Sequence, residues 1–265
     1  MKCYLSIVIF LVMVTGCSKV PLTNRKQMNL IPESELIAMS LTNYNEFLSK
    51  NPPVPSTQSD AKLVKQVGGK ISASIIRYMQ KNGFGERVKG YKWEFNLVNS
   101  KEINAWCMPG GKVVVYSGLL PVTQDEAGLA FVMGHEIAHA VARHGNERMS
   151  QMLLAETGGI ALDLALMNKP AETRNIFMTA YGVGSTVGVL LPYSRLHESE
   201  ADKLGMIFMA MSGYDPALAP SVWERMMKIN TGAKPPEILS THPSDQTRIA
   251  DLRKYVPTAQ KYFVR

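Results

Sequence analysis

Apolar residues recur along this chain in three spacings. The first is a step of four. Leu63, Val67, Ile71, Ile75 and Met79 share one face of a helix predicted over residues 59–82, with Gly83 as its stop. The second is period two. Residues 91–98 (YKWEFNLV) alternate apolar and polar, the clearest strand in the chain. A turn at Pro109-Gly110-Gly111 leads to a second strand over 112–117 (KVVVYS), rich in β-branched residues. The third is a mostly apolar run without charge, found in residues 4–14 and again, with Gly182, Gly184 and Gly188 inside it, in residues 176–192.

Further helices follow from their boundaries. One is expected to open at Pro32-Glu33-Ser34-Glu35 and run to about Lys50, with Glu33 and Glu35 in its first turn and Pro52, Pro53 and Pro55 beyond its end. Another opens at Thr123-Gln124-Asp125-Glu126, which fits a capping box, and runs to about Arg143. The pattern is that of a mainly helical α+β chain with a small β-sheet.

The first apolar run is too short for a span of about 20 residues. With Lys2 before it, it reads as a signal peptide. Val14-Thr15-Gly16-Cys17 then resembles a bacterial lipobox, whose cysteine becomes a lipidated N-terminus; an ordinary signal peptide with an incidental cysteine is the alternative. The organisation expected is a lipoprotein signal peptide over 1–16, a polar tether over 17–32 and a catalytic domain over 33–265. Acyl chains on Cys17 would hold the protein on a bilayer without a spanning helix. That implies a bacterial cell envelope location, periplasm-facing, and Ser18 resembles the signal for outer-membrane retention.

Composition narrows the chemistry. The 265 residues are 46% hydrophobic and 19% charged, as in globular proteins. The net charge of +7 is spread without a basic run, so nucleic acid is not an expected partner. Three cysteines, Cys3, Cys17 and Cys107, form no Cys-x-x-Cys pair and no disulfide framework. Histidine chemistry must come from five residues: His135, His139, His144, His197 and His242.

Two of these form the motif His135-Glu136-Ile137-Ala138-His139 on the helix opened near Thr123. Residues i and i+4 share a helix face, so both imidazoles reach one metal. Glu136 is offset and can reach a water on that metal. A catalytic zinc takes a third protein ligand and leaves one position to water. A histidine at 145 would continue one known pattern, but Gly145 stands there and Ala142 replaces its glycine. His144 lies about 140° around the helix from His139 and reads as structural. Glu198 and Asp202, again i and i+4, supply the acid instead: Glu198 as ligand, Asp202 as hydrogen-bond acceptor from the far nitrogen of a ligating histidine. Glu200 should face elsewhere, and His197 is a competing ligand.

His-Glu-x-x-His followed by Ser194-Arg195-x-x-Glu198-x-x-x-Asp202 resembles the gluzincin metallopeptidases of the HtpX, BepA and LoiP type, related to the CaaX prenyl proteases. The likeness extends to Asn104-Ala105-Trp106 with Gly110-Gly111, to Gly205, to Gly213-Tyr214-Asp215-Pro216 and to Thr241-His242-Pro243-Ser244 with Arg248. It implies a zincin-like fold whose edge strand lines the active-site cleft, with Asn104 and Ala105 pairing with substrate backbone. It implies one zinc per chain on His135, His139 and Glu198, with Glu136 as general base. His242 is implied near the metal, as an inhibitory fourth ligand or a transition-state donor; Arg248 and Tyr193 are further candidates for the oxyanion.

The activity expected is a membrane-tethered zinc endopeptidase acting on unfolded or misassembled envelope proteins, with envelope assembly factors among its partners. The alternative is a non-proteolytic, zinc-containing chaperone or scaffold for outer-membrane protein assembly. Residues 152–192 read as a helical hairpin or lid, in contact with membrane or a partner.

Overall fold

A computed structural model describes residues 17–167, 169, 171–186, 190–229 and 246–264. In chain order the elements are β1 (Cys17–Lys19), β2 (Lys26–Met28), α1 (Glu33–Lys50), α2 (Ser59–Lys81), β3 (Glu94–Val98), β4 (Ala105–Met108), β5 (Lys112–Tyr116), α3 (Glu126–Val141), α4 (His144–Ala165), α5 (Ala171–Ser185), α6 (Leu191–Met211), α7 (Ala219–Ile229) and α8 (Gln246–Ala259). The fold is mainly helical α+β. The chain divides into two compact units, residues 17–33 with 143–197, and residues 34–142 with 198–265. The residues expected as signal peptide, 1–16, and the segment holding His242 lie outside the described residues.

In the larger unit, α2 turns Val64, Val67, Ile71, Ile75 and Met79 into the core. The helix packs against β3 and α3. Gly68 permits this approach: a Cβ there would lie 2.3 Å from the ring of Phe95. The sheet has the order β3–β5–β4, with β3 and β5 parallel and β4 antiparallel to β5. Val113, Val114 and Val115 of the central strand are wholly buried.

Two local features differ from what the sequence pattern implied. Period two over 91–98 implied one wet face, yet Phe95, Asn96, Leu97 and Val98 are all buried. Asn96 tolerates this because its amide donates to the Tyr44 hydroxyl at 2.7 Å and to Glu94 at 3.1 Å. The capping box is also displaced. Thr123 ends a separate helical turn, Leu120–Thr123, and its hydroxyl donates to the Leu120 carbonyl. Gln124 takes a left-handed backbone, φ 69°, and Asp125 caps α3 by accepting from the Gly128 amide at 2.7 Å. At the other end of α3, the Arg87 guanidinium donates to the carbonyls of Val141 and Ala142 at 2.8 and 2.9 Å.

In the smaller unit, residues 17–32 are not an open tether. β1 and β2 pair antiparallel, with Cys17 opposite Met28, and Val20 is fully buried. Side chains of α4 hold this hairpin: Asn146 donates to the Ile31 carbonyl at 2.8 Å, Ser150 accepts from the Leu30 amide at 2.9 Å, and Arg25 pairs with Glu147 at 2.7 and 2.8 Å. α4 and α5 form the expected helical hairpin. Arg174 pairs with Asp163 across it, and the Tyr181 hydroxyl donates to the Ala155 carbonyl at 2.8 Å. None of the described residues between 152 and 196 is buried. No helix among the described residues is long and apolar enough to cross a membrane.

Candidate metal centre

Helix α3 carries His135 and His139 one turn apart, and their Nε2 atoms face each other at 3.1 Å. Glu198 of α6 closes the group. Its Oε2 lies 3.4 Å from His135 Nε2 and its Oε1 lies 3.4 Å from His139 Nε2. The three donor atoms fall within 4.8 Å of one another, the one such His/Cys/Asp/Glu group among the described residues. Two glycines allow the backbones of α3 and α6 to come this close. A Cβ on Gly134 would sit 2.9 Å from the Gly205 carbonyl oxygen, and one on Gly205 would sit 2.9 Å from the His135 nitrogen.

A second layer fixes the first. His135 Nδ1 lies 3.0 Å from Asp202 Oδ1, so the far nitrogen of the ring is held while Nε2 points at Glu198. Asp202 also accepts from the Trp223 indole at 3.0 Å and from Arg248 through Nε and Nη2, both at 2.8 Å. Arg248 Nη1 reaches Glu198 Oε2 at 3.2 Å, and its guanidinium lies over the Trp223 ring at 4.9 Å. One arginine therefore touches both carboxylates.

The electrostatics follow from burial and pairing. Burial alone would raise the Asp202 carboxyl, but Arg248 and His135 hold it below its usual value. Burial alone would depress the His135 imidazole; the hydrogen bonds to Asp202 and Glu198 reverse this and hold it at about 9. Such a ring is strongly basic at Nε2, and a cation at the same donors competes with that proton.

Glu136 is buried beside this group. The Cys107 thiol of β4 is pushed up by its burial and then by the Glu136 charge. Asn104 accepts from the Ala105 amide through Oδ1 at 2.9 Å, and Ala105 opens β4, an outer strand of the sheet.

Other expected participants stand elsewhere. His197 Nε2 lies 2.9 Å from Glu147 Oε2, and its ring stacks on His144 at 4.3 Å; both histidines belong to the smaller unit. Tyr193 packs near His197 at 6.2 Å. Glu200, expected to face elsewhere, is buried. His242 lies outside the described residues. Sequence reading missed Trp223 and Gly134. A glycine inside an apolar helix, directly before a candidate ligand, was the available signal for Gly134; Trp223 carries none.

The sequence pattern of Peptidase family M48 matches residues 67–256, which include all of these groups. The chain belongs to peptidase family M48. Members are metal-dependent peptidases, so the protein's chemistry is peptide-bond hydrolysis at a metal centre. The chain is 31% identical over 249 residues to the mitochondrial metalloendopeptidase OMA1 of Schizosaccharomyces pombe, covering 93% of this chain and 68% of that protein. It is 38% identical over 161 residues to the OMA1 of Arabidopsis thaliana, 61% of this chain and 31% of the relative. It is 34% identical over 166 residues to the beta-barrel assembly-enhancing protease of Escherichia coli K12, 61% of this chain and 34% of the relative. This M48 chain thus spans about a third of the length of the last two relatives.

Proposed function

We propose that this chain is a zinc-dependent endopeptidase, tethered to a bacterial envelope membrane through acylated Cys17, that cleaves unfolded or misassembled envelope proteins. The convergence of His135, His139 and Glu198, backed by Asp202, carries this reading. The donor set fits zinc: two imidazole nitrogens and one carboxylate, with three protein ligands rather than the four of a closed structural site. When bound, zinc supplies Lewis acidity to a water and to the scissile carbonyl.

The chain's own groups do the remaining work. Glu136 takes the proton of the attacking water and delivers it to the leaving amine. Asp202 holds the His135 tautomer. Arg248, with three donors committed to Asp202 and Glu198, acts as a positioning residue rather than an oxyanion donor. The substrate lies extended along β4 at Asn104 and Ala105. His242 enters as a latch or as a transition-state donor. A retained Glu136 argues against a non-proteolytic chaperone, because a purely structural site has no use for a base.

The name of the Escherichia coli relative, beta-barrel assembly-enhancing protease, supports the reading of envelope substrates and assembly partners. The arrangement of residues 1–16 as signal peptide and Cys17 as lipid site follows from the sequence pattern. Casein cleavage before and after a zinc chelator, with zinc then restored, tests the activity. Loss and recovery of cleavage support it; cleavage indifferent to chelation contradicts it.

A further inference from the structure

The smaller unit contains a cavity of about 640 Å³. That volume lies in the range of small-molecule sites, about 300–1,000 Å³. Its wall is mostly apolar: Met28 from β2, Leu154 and Ala155 from α4, Tyr181 and Gly184 from α5. Among the polar groups on the wall, Gln27, Glu147, Tyr181 and Ser185 are engaged by neighbours, and Lys26, Gln151 and Tyr193 complete its polar part. The Glu147 carboxylate receives Arg25, Gln27 and His197. The Tyr181 hydroxyl donates to Ala155, and the Ser185 hydroxyl donates to the Gly182 carbonyl. A ligand here would be recognised by its apolar surface.

The position of residue 17 identifies a candidate. In the β1–β2 ladder Cys17 is the partner of Met28, which lines the cavity. Paired residues in an antiparallel ladder stand about 5 Å apart. The backbone of residue 17 therefore lies beside a residue of the cavity wall, within reach of a chain attached to it. The helices around it, α4 and α5, bury none of their described side chains beyond Gln151, so this apolar wall lacks a cover from those residues. We infer that the cavity holds one of the fatty acyl chains carried by Cys17, the others remaining in the bilayer. This rests on the reading of Cys17 as the lipid site. The hydrophobic effect that drives an acyl chain into a bilayer drives it equally into an apolar cavity.

The test uses the full chain, produced in bacteria fed palmitic acid bearing a diazirine, irradiated in solubilised membranes and mapped by mass spectrometry. The expected result is label attached to Cys17 and cross-links to Met28, Leu154, Ala155 or Tyr181. Gly184→Trp should abolish these cross-links, since a Cβ at Gly184 meets nothing within 4 Å and a larger side chain can fill the space. Gly182→Trp, equally unobstructed but off the cavity wall, should leave them. Label on Cys17 with no cross-link to these residues would overturn the inference and leave the anchor standing. No label on Cys17 would overturn both.

Discussion

Arg248 grips Asp202 with two hydrogen bonds of 2.8 Å, one to each carboxylate oxygen, and places its third nitrogen 3.2 Å from Glu198. This couples α8 to both acids of the metal centre. Removing the guanidinium would leave two buried carboxylates without their cation, and the His135 tautomer with a loosened partner. Arg248→Ala should lower zinc affinity and kcat/KM by about 10–100-fold, the range for outer-shell partners of metal ligands. Arg248→Lys should recover little, because one ammonium cannot span both oxygens. Competition with a zinc-binding dye checks affinity apart from catalysis.

The crossing of α3 and α6 depends on two missing side chains. Gly205→Ala would put a Cβ 2.9 Å from the His135 nitrogen, so the helices must separate. The expected loss is about 1–3 kcal/mol of stability, with reduced metal content. Gly69→Ala on α2 is the matching control. Nothing lies within 4 Å of its Cβ, and the change should stabilise by about 0.5–1 kcal/mol. Denaturant unfolding of both variants gives the comparison.

The displaced cap makes its own prediction. Asp125→Ala should cost about 1 kcal/mol, because the side chain satisfies the Gly128 amide at the start of the helix that carries both histidines. Thr123→Val should leave that amide satisfied, since the threonine hydroxyl bonds its own preceding turn. Equal losses for the two variants would return the cap to Thr123.

Glu147 sets an acid limit on the smaller unit. Burial alone would raise its carboxyl, but His197 and Arg25 bring it down from 4.5 to about 2. A depressed carboxylate contributes its full stabilisation above the unfolded value, near 4.5, and loses it progressively as pH falls toward 2. Glu147→Gln should therefore be less stable than wild type at neutral pH. The gap should narrow between pH 4.5 and 2, which thermal unfolding at stepped pH measures.

What was legible in the sequence was local. The step of four over 59–82 gave α2 to within a residue of its end, and the two i, i+4 pairs, His135–His139 and Glu198–Asp202, gave the residues that the fold gathers. Helical periodicity carries that information without tertiary context. The rest depended on partners far along the chain. Asn96 is buried because Tyr44, 52 residues earlier, accepts its amide proton. The hairpin at 17–32 is folded because Asn146 and Ser150, 115 and 120 residues later, bind its backbone. Arg248 gave no sign that it would meet Asp202 rather than a substrate oxyanion.

Glu136→Gln isolates the proposed base. It removes the carboxylate while leaving His135, His139 and Glu198 in place. Metal content and casein cleavage should be measured on wild type and variant prepared side by side. The expected result is one zinc per chain in both and cleavage lost in the variant by at least about 100-fold, the lower range for a general base. A variant that keeps its zinc and cleaves at the wild-type rate would contradict the role of Glu136, and with it the proposed mechanism.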